Sequence, residues 1–255
     1  MGTNVAPLRM QMRRRERGLY KNCEFTASEE WGRYPAHAMS PIIGITADFH
    51  ENRYQIGMEY PSSVIKAGGI PMILPPILGM ESHYLAICDG FVFSGGDDPR
   101  MEEWGIETDP NTTPVTKQRQ AFELSLLKEL QQHPEVPVLG VCLGMQWMCL
   151  LAHGTIEQDL SEPCASHHNN DTHTISGSLG SGVVHSHHHQ AMTSAGLLTV
   201  VATSEDGVIE AVQDVNRLWY IGVQWHPERT EDVQLGQGLF TQLVKSSRTT
   251  ETSIS

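Results

Sequence analysis

The stretch Val136-Pro137-Val138-Leu139-Gly140-Val141-Cys142-Leu143-Gly144-Met145-Gln146 decides the fold. An apolar run reaches a glycine two places before a lone cysteine and meets another two places after it. The chain then passes into the apolar segment Trp147 to Ala152. That order suits a strand turning sharply into a helix, with the thiol exposed at the turn and glycines letting neighbouring backbone approach. A helix starting there aims its unpaired N–H groups and positive dipole end at the sulfur, which favours thiolate over thiol. A buried cysteine beside two loop glycines is the plain alternative, and partners elsewhere in the chain must decide between the two.

Outward from that turn the chain alternates. Ile42–Thr46, Ile70–Leu74 and Gly90–Phe93 read as strands; Met58–Ala67, Ser82–Cys88 and Thr116–Gln132 read as helices. The last is the clearest, because Phe122, Leu126, Leu127 and Leu130 recur on one face. Short apolar strands alternating with helices predict an α/β fold of three layers, a mostly parallel central sheet with helices on both faces. After residue 196 the pattern turns to β, over Leu197–Ala202, Gly207–Val212 and Leu218–Val223, which adds a small antiparallel portion. A final helix is expected over Asp232–Val244, with Val233, Phe240 and Val244 inward. In open sheets of this kind ligands gather at the C-terminal ends of the strands.

Two further stretches offer partners for the cysteine. In Gly222-Val223-Gln224-Trp225-His226-Pro227-Glu228 the imidazole and carboxylate are two residues apart, so on extended backbone they leave the same face. Pro227 fixes its own φ and pushes His226 toward the β region. The carboxylate can orient the ring, and the ring can take the cysteine proton. In Phe91-Val92-Phe93-Ser94-Gly95-Gly96-Asp97-Asp98 an apolar strand delivers a tight glycine loop whose N–H groups could face a developing oxyanion. Taken singly, these are also a surface histidine and an ordinary turn.

In this order, a Gly-Gly-Asp loop, a Gly-x-Cys-x-Gly-x-Gln turn and a late His-Pro-Glu resemble the class I glutamine amidotransferase superfamily. Ser94–Pro99 with Trp104-Gly105, Gly154–Leu160, Ser186–Ala191 and Asp206–Ala211 resemble more narrowly its γ-glutamyl hydrolase-like branch, which includes the γ-glutamyl-γ-aminobutyrate hydrolases. The resemblance spans residues 41–246 and implies the flavodoxin-like fold of that superfamily. It implies Cys142 as nucleophile, His226 as its activator and the proton donor to the leaving amine, and Glu228 as the group orienting His226. It further implies oxyanion donors at the backbone N–H groups of Gly96 and Leu143, with Gly95, Gln146, Ser186, His187 and His188 binding substrate. The implied reaction is hydrolysis of a γ-glutamyl amide through a thioester, releasing glutamate and a small amine, with no cofactor and no metal.

Departures from that branch leave substrate choice open. Leu143 replaces a usual arginine, Cys149 an asparagine and His153 a glycine, while Gln120 stands at a usually acidic position. The stretch Glu162–Val184 is shorter than its counterpart, which shapes the leaving-group side of the pocket. A second reading is a glutaminase subunit passing ammonia to a separate synthetase partner, since no phosphate-binding glycine loop occurs in the sequence. A catalytically silent binding protein is the third.

Seven of the thirteen histidines fall between residues 167 and 189. His185, His187 and His189 on a strand would share one face, an arrangement open to zinc. No Asp, Glu or Cys stands at metal-ligand spacing within the run, so the expectation is no metal. Cys88, Cys149 and Cys164 lack the surroundings of Cys142 and read as structural, and Cys23 as part of the tail.

At 255 residues the chain can bury one sizeable core. A net charge of −13 argues against nucleic acid as a partner. No apolar stretch reaches the roughly 18 residues that suggest a membrane span. Five cysteines without disulfide spacing fit a reducing, cytoplasmic setting. The expected partner is a small-molecule γ-glutamyl substrate, and a homodimer stays open. Residues 1–40 carry seven Lys/Arg against four Asp/Glu and show no apolar periodicity. They read as a flexible extension, a weak targeting segment or an upstream misread start with Met39 as the true initiator. We expect a dispensable extension over 1–40, a catalytic domain over 41–246 and a polar tail over 247–255.

Overall fold

The computed structural model describes residues 40–162, 164–169 and 171–248. The expected N-terminal extension and C-terminal tail lie outside these residues, apart from Ser40, Ser247 and Arg248. In chain order the first half contains β1 (Ile42–Thr46), the short hairpin β2 (Asp48–His50) and β3 (Arg53–Gln55), α1 (Glu59–Lys66), β4 (Ile70–Leu74), α2 (Glu81–Leu85) and β5 (Gly90–Phe93). A 3-10 turn over Met101–Trp104 precedes α3 (Lys117–Leu130), β6 (Val138–Val141), α4 (Leu143–Leu151) and β7 (Thr155–Glu157). There follow α5 (Cys164–His168), β8 (Asp171–Ser176), β9 (Ser181–Ser186), β10 (Ala191–Ser194), β11 (Thr199–Ser204), β12 (Ile209–Gln213), β13 (Tyr220–Val223) and α6 (Gln237–Ser247).

A nine-stranded sheet runs β4-β1-β5-β6-β13-β12-β11-β8-β9. Its first five strands are parallel, and from β12 outward the pairing is antiparallel. The antiparallel portion thus continues the main sheet, and two further two-stranded sheets stand apart from it. Every residue of β5, β6 and β13 is buried, as expected of strands covered on both faces. Alternate side chains enter opposite cores. Phe91 and Phe93 meet Tyr84, Phe122, Leu126 and Trp147 on the face of α2, α3 and α4. Val92 meets Val64, Leu239, Phe240 and Leu243 on the face of α1 and α6.

The strands β1, β4 and β5 match their expected limits, whereas several other ends shift for local reasons. Thr116 caps α3, its side chain accepting from the Arg119 amide at 3.3 Å. The face Phe122, Leu126, Leu127 and Leu130 is buried as expected, but so are Arg119, Gln120 and Glu123. The last helix begins five residues late. Asp232 Oδ1 accepts from the amides of Gln234 and Leu235, each at 2.9 Å, and this local turn competes with helix ahead of Gly236. Val233 is therefore 80% exposed rather than inward, while Phe240 and Val244 are buried. The stretch Glu162–Val184 holds α5, β8 and part of β9. Ile175 and Val184 supply its buried aliphatic side chains, too few to leave a periodic signal.

Candidate active site

Register places the site. β6 and β13 are parallel neighbours with Val141 opposite Val223, and Phe93 of β5 lies opposite Gly140 on the other flank. Neighbouring strands lie about 4.8 Å apart, so the residues leaving their C-terminal ends emerge together: Ser94–Gly96, Cys142 and Gln224–Glu228. Cys142 has φ 49° and ψ −105°, a strained conformation for a residue with a side chain. A Cβ at Gly140 would lie 2.3 Å from Met148 Sδ, and one at Gly144 2.4 Å from the Phe93 carbonyl oxygen. Only glycine lets α4 fold back this closely onto β5 and β6. The Gln146 amide donates to the Cys142 carbonyl at 3.1 Å. The amides before it, beginning with Leu143, have no acceptor within the helix.

The segment after β13 is held on both sides. Trp225 is fully buried and its indole donates to the Leu235 carbonyl at 2.9 Å, while Gln224 and His226 leave the opposite face. The His226 amide donates to the His185 carbonyl at 2.8 Å, and Thr230 Oγ1 donates to the His226 carbonyl at 2.9 Å. His226 Nδ1 meets Glu228 Oε1 at 2.7 Å, and the Glu228 side chain is fully buried. Burial pulls the ring's pKa down, but the Cys142 sulfur and the Glu228 carboxylate beside it push it up to about 10. Gln224 Nε2 donates to Cys142 Sγ at 3.5 Å. A Cβ at Gly95 would lie 2.9 Å from His226 Cε1 and 3.5 Å from Cys142 Cβ, so this glycine is wedged between the two.

The glycine loop rests on a buried cation. The Gly95 amide donates to Tyr60 Oη at 3.0 Å, while Gly96 and Cys142 line one pocket. Behind the loop, a fully buried Arg119 donates through Nη2 to the carbonyls of Ser94 at 3.0 Å and Gly95 at 2.9 Å. Its Nη1 lies 3.2 Å from Asp48 and its Nε 3.2 Å from Glu123. The Trp147 indole donates to Glu123 at 2.7 Å. Two carboxylates and two carbonyls offset the cost of burying this guanidinium.

The remaining expected residues surround the same pocket. Gln146, His187 and His188 line it with Gly96 and Cys142, and the His187 carbonyl is 4.0 Å from Cys142 Sγ. The His187 ring is exposed, with its centroid 6.4 Å from that of His226. Ser186 is buried. His188 Nδ1 donates to the Gln190 carbonyl at 2.7 Å, and its Nε2 lies 3.7 Å from Glu210 Oε1. Because β9 ends at Ser186, His187 and His189 do not share a strand face with His185. His189 instead sits between Asp98, at 3.0 Å, and Asp159, at 3.5 Å. Burial pushes the thiols of Cys88 and Cys149 up to about 12. Among the described residues, no helix is long and apolar enough to cross a membrane.

The Peptidase C26 family profile matches residues 41–228, about three quarters of the chain. The chain belongs to the Peptidase C26 family. Within it, the chain falls in the γ-glutamyl hydrolase-like branch of the class I glutamine amidotransferase superfamily and is an amide hydrolase of that type. It is 31% identical over 230 residues to a Mycobacterium tuberculosis protein provisionally assigned as a glutamine amidotransferase, covering 79% of this chain and 74% of that one. It is 28% identical over 224 residues to the γ-glutamyl-γ-aminobutyrate hydrolase of Escherichia coli K12, covering 74% and 86%. A Thermoplasma acidophilum crystal structure, provisionally described as part of a GMP synthase, shares the fold with a TM-score of 0.62 at 17% identity, covering 85% of this chain and all of the other.

Three residues around this C26 site escape sequence reasoning. Gln224 touches the sulfur, Tyr60 fixes the Gly95 amide and Arg119 underpins the loop. Gln224 carried a usable signal, because it alternates with His226 beyond a strand. Arg119 had none, since a single arginine on an amphipathic helix reads as solvated.

Proposed function

We propose that the chain hydrolyses a γ-glutamyl amide through a thioester on Cys142. The sulfur attacks the amide carbonyl, and the charge that develops on oxygen is met by the amides of Gly96 and Leu143. His226 holds the proton taken from the Cys142 thiol, with its charge stabilised by Glu228 at Nδ1, and passes it to the leaving amine. The neutral ring then takes a proton from water, which attacks the thioester, and glutamate leaves as the sulfur is released. Gln146, Ser186 and the backbone of His187 and His188 hold the glutamyl end, with Gly95 spacing the imidazole from the sulfur. The observation that carries this reading is the 2.7 Å contact of Glu228 with His226 Nδ1, which leaves Nε2 for the sulfur. The choice of a γ-glutamyl substrate draws on the name of the Escherichia coli relative.

A panel of γ-glutamyl amines, assayed for free glutamate, tests this. Turnover by the chain alone that disappears in Cys142→Ala, with circular dichroism unchanged, supports it; equal turnover in the variant removes it. The provisional assignment of the Mycobacterium tuberculosis relative favours a second reading, a glutaminase supplying ammonia to a synthetase. That reading requires glutamine hydrolysis that rises when the synthetase is added.

A further inference from the structure

Beside the pocket, but outside the proposed chemistry, three imidazoles converge on one carboxylate. Glu210 of β12 is fully buried, and its Oε1 lies 3.3 Å from His168 Nδ1, 3.1 Å from His173 Nε2 and 3.7 Å from His188 Nε2. The His168 ring centroid is 4.4 Å from that of His173 and 4.8 Å from that of His188, with the planes tilted. All four residues come from different places: the end of α5, β8, the segment after β9, and β12.

The arrangement has the form of a ligand shell rather than a hydrogen-bond network. Neither Glu210 oxygen, nor any of these three facing nitrogens, makes a hydrogen bond of good geometry among the described residues, although all are buried. The atoms approach one another without pointing at one another. Tetrahedral zinc with bonds of about 2.0–2.1 Å has ligand–ligand edges of roughly 3.3–3.4 Å, and His168 Nδ1 and His173 Nε2 lie 3.3 and 3.1 Å from Glu210 Oε1. The opposite ring nitrogens of His168 and His188 are engaged, as for metal-bound imidazoles, while His173 Nδ1 is buried without a hydrogen bond. His188 Nδ1 donates to the Gln190 carbonyl at 2.7 Å, and His168 Nε2 is 3.1 Å from Asp206. Asp206 is held in turn by Ser204 Oγ.

We infer that His168 Nδ1, His173 Nε2 and a Glu210 carboxylate oxygen form a site for a divalent transition metal, zinc by donor type, with His188 beside it. Three protein ligands tie α5, β8 and β12 together and leave the ion's fourth position to water. The ion joins α5 and β8, which carry little apolar surface, to β12. Spacing within the histidine run could not show this, because the carboxylate lies on a distant strand.

The test uses the full chain without a histidine tag, stripped with EDTA and titrated with zinc chloride, then with cobalt chloride. We expect stoichiometric zinc uptake, a higher Tm, and the intense visible bands of tetrahedral cobalt. His173→Ala and Glu210→Gln should weaken zinc binding at least 100-fold, and Asp206→Asn about 10- to 100-fold. His167→Ala, an exposed neighbour in the same run, should retain it. A folded chain that takes up no stoichiometric zinc, or whose uptake is unchanged in His173→Ala and Glu210→Gln, overturns the inference. If those variants fail to fold, the cobalt spectrum of the unaltered chain decides: weak octahedral bands overturn the site.

Discussion

The amide of Cys142 donates to the carbonyl of Val223 at 2.8 Å, across the join between β6 and β13. That bond fixes where the chain leaves each strand, so sheet register brings Cys142 and the segment bearing His226 out at the same edge. A site set this way does not depend on ordering a loop when a ligand arrives.

The paired imidazole has a consequence for pH. The pKa of His226 rises from 6.5 to about 10 because the sulfur and Glu228 outweigh burial. Its contribution to stability is therefore fully present below about pH 6.5 and is lost as pH rises through about 10. An NMR titration of the ring, assigned with His226→Gln, should show a midpoint well above 6.5, and Glu228→Gln should lower it. A midpoint near the ordinary histidine value contradicts the pairing.

Gly96 is expected to be intolerant of a side chain. A Cβ there would lie 2.2 Å from Arg119 Nη1, which is itself anchored, so the loop must move. Gly96→Ala should lower kcat about 100-fold or more, the usual cost of one oxyanion donor, with a smaller change in KM. An unchanged kcat would remove this amide from the mechanism.

Arg119 should matter for stability. Arg119→Met leaves Glu123 and two loop carbonyls buried without their donor, and we expect a loss of about 3–5 kcal/mol in urea denaturation. In a Glu123→Gln background the loss should shrink, because the stranded charge is gone. A loss under about 1 kcal/mol would place the pair with ordinary surface bridges.

Much of this was legible in the sequence, for identifiable reasons. The parallel strands are short apolar runs bounded by turns, and Gly140 and Gly144 mark the turn at Cys142 because no other residue fits against Met148 and Phe93. His226 and Glu228 declare themselves by spacing on extended backbone. The β8–β9 hairpin was not legible, since its side chains are mostly polar and its order comes from tertiary pairing. Helix α6 begins later than its apolar pattern predicts because that pattern carries no record of the turn at Asp232. The convergence on Glu210 depends on β12 lying beside its partners, which no local pattern encodes.

The most direct test is to trap the acyl-enzyme. The chain is mixed with a γ-glutamyl anilide, quenched in acid within the first turnover and digested for mass spectrometry. We predict one glutamyl group in thioester linkage on the Cys142 peptide, absent from Cys142→Ala. Release of glutamate at an undiminished rate by that variant, with no adduct on Cys142 in the parent chain, would contradict the account.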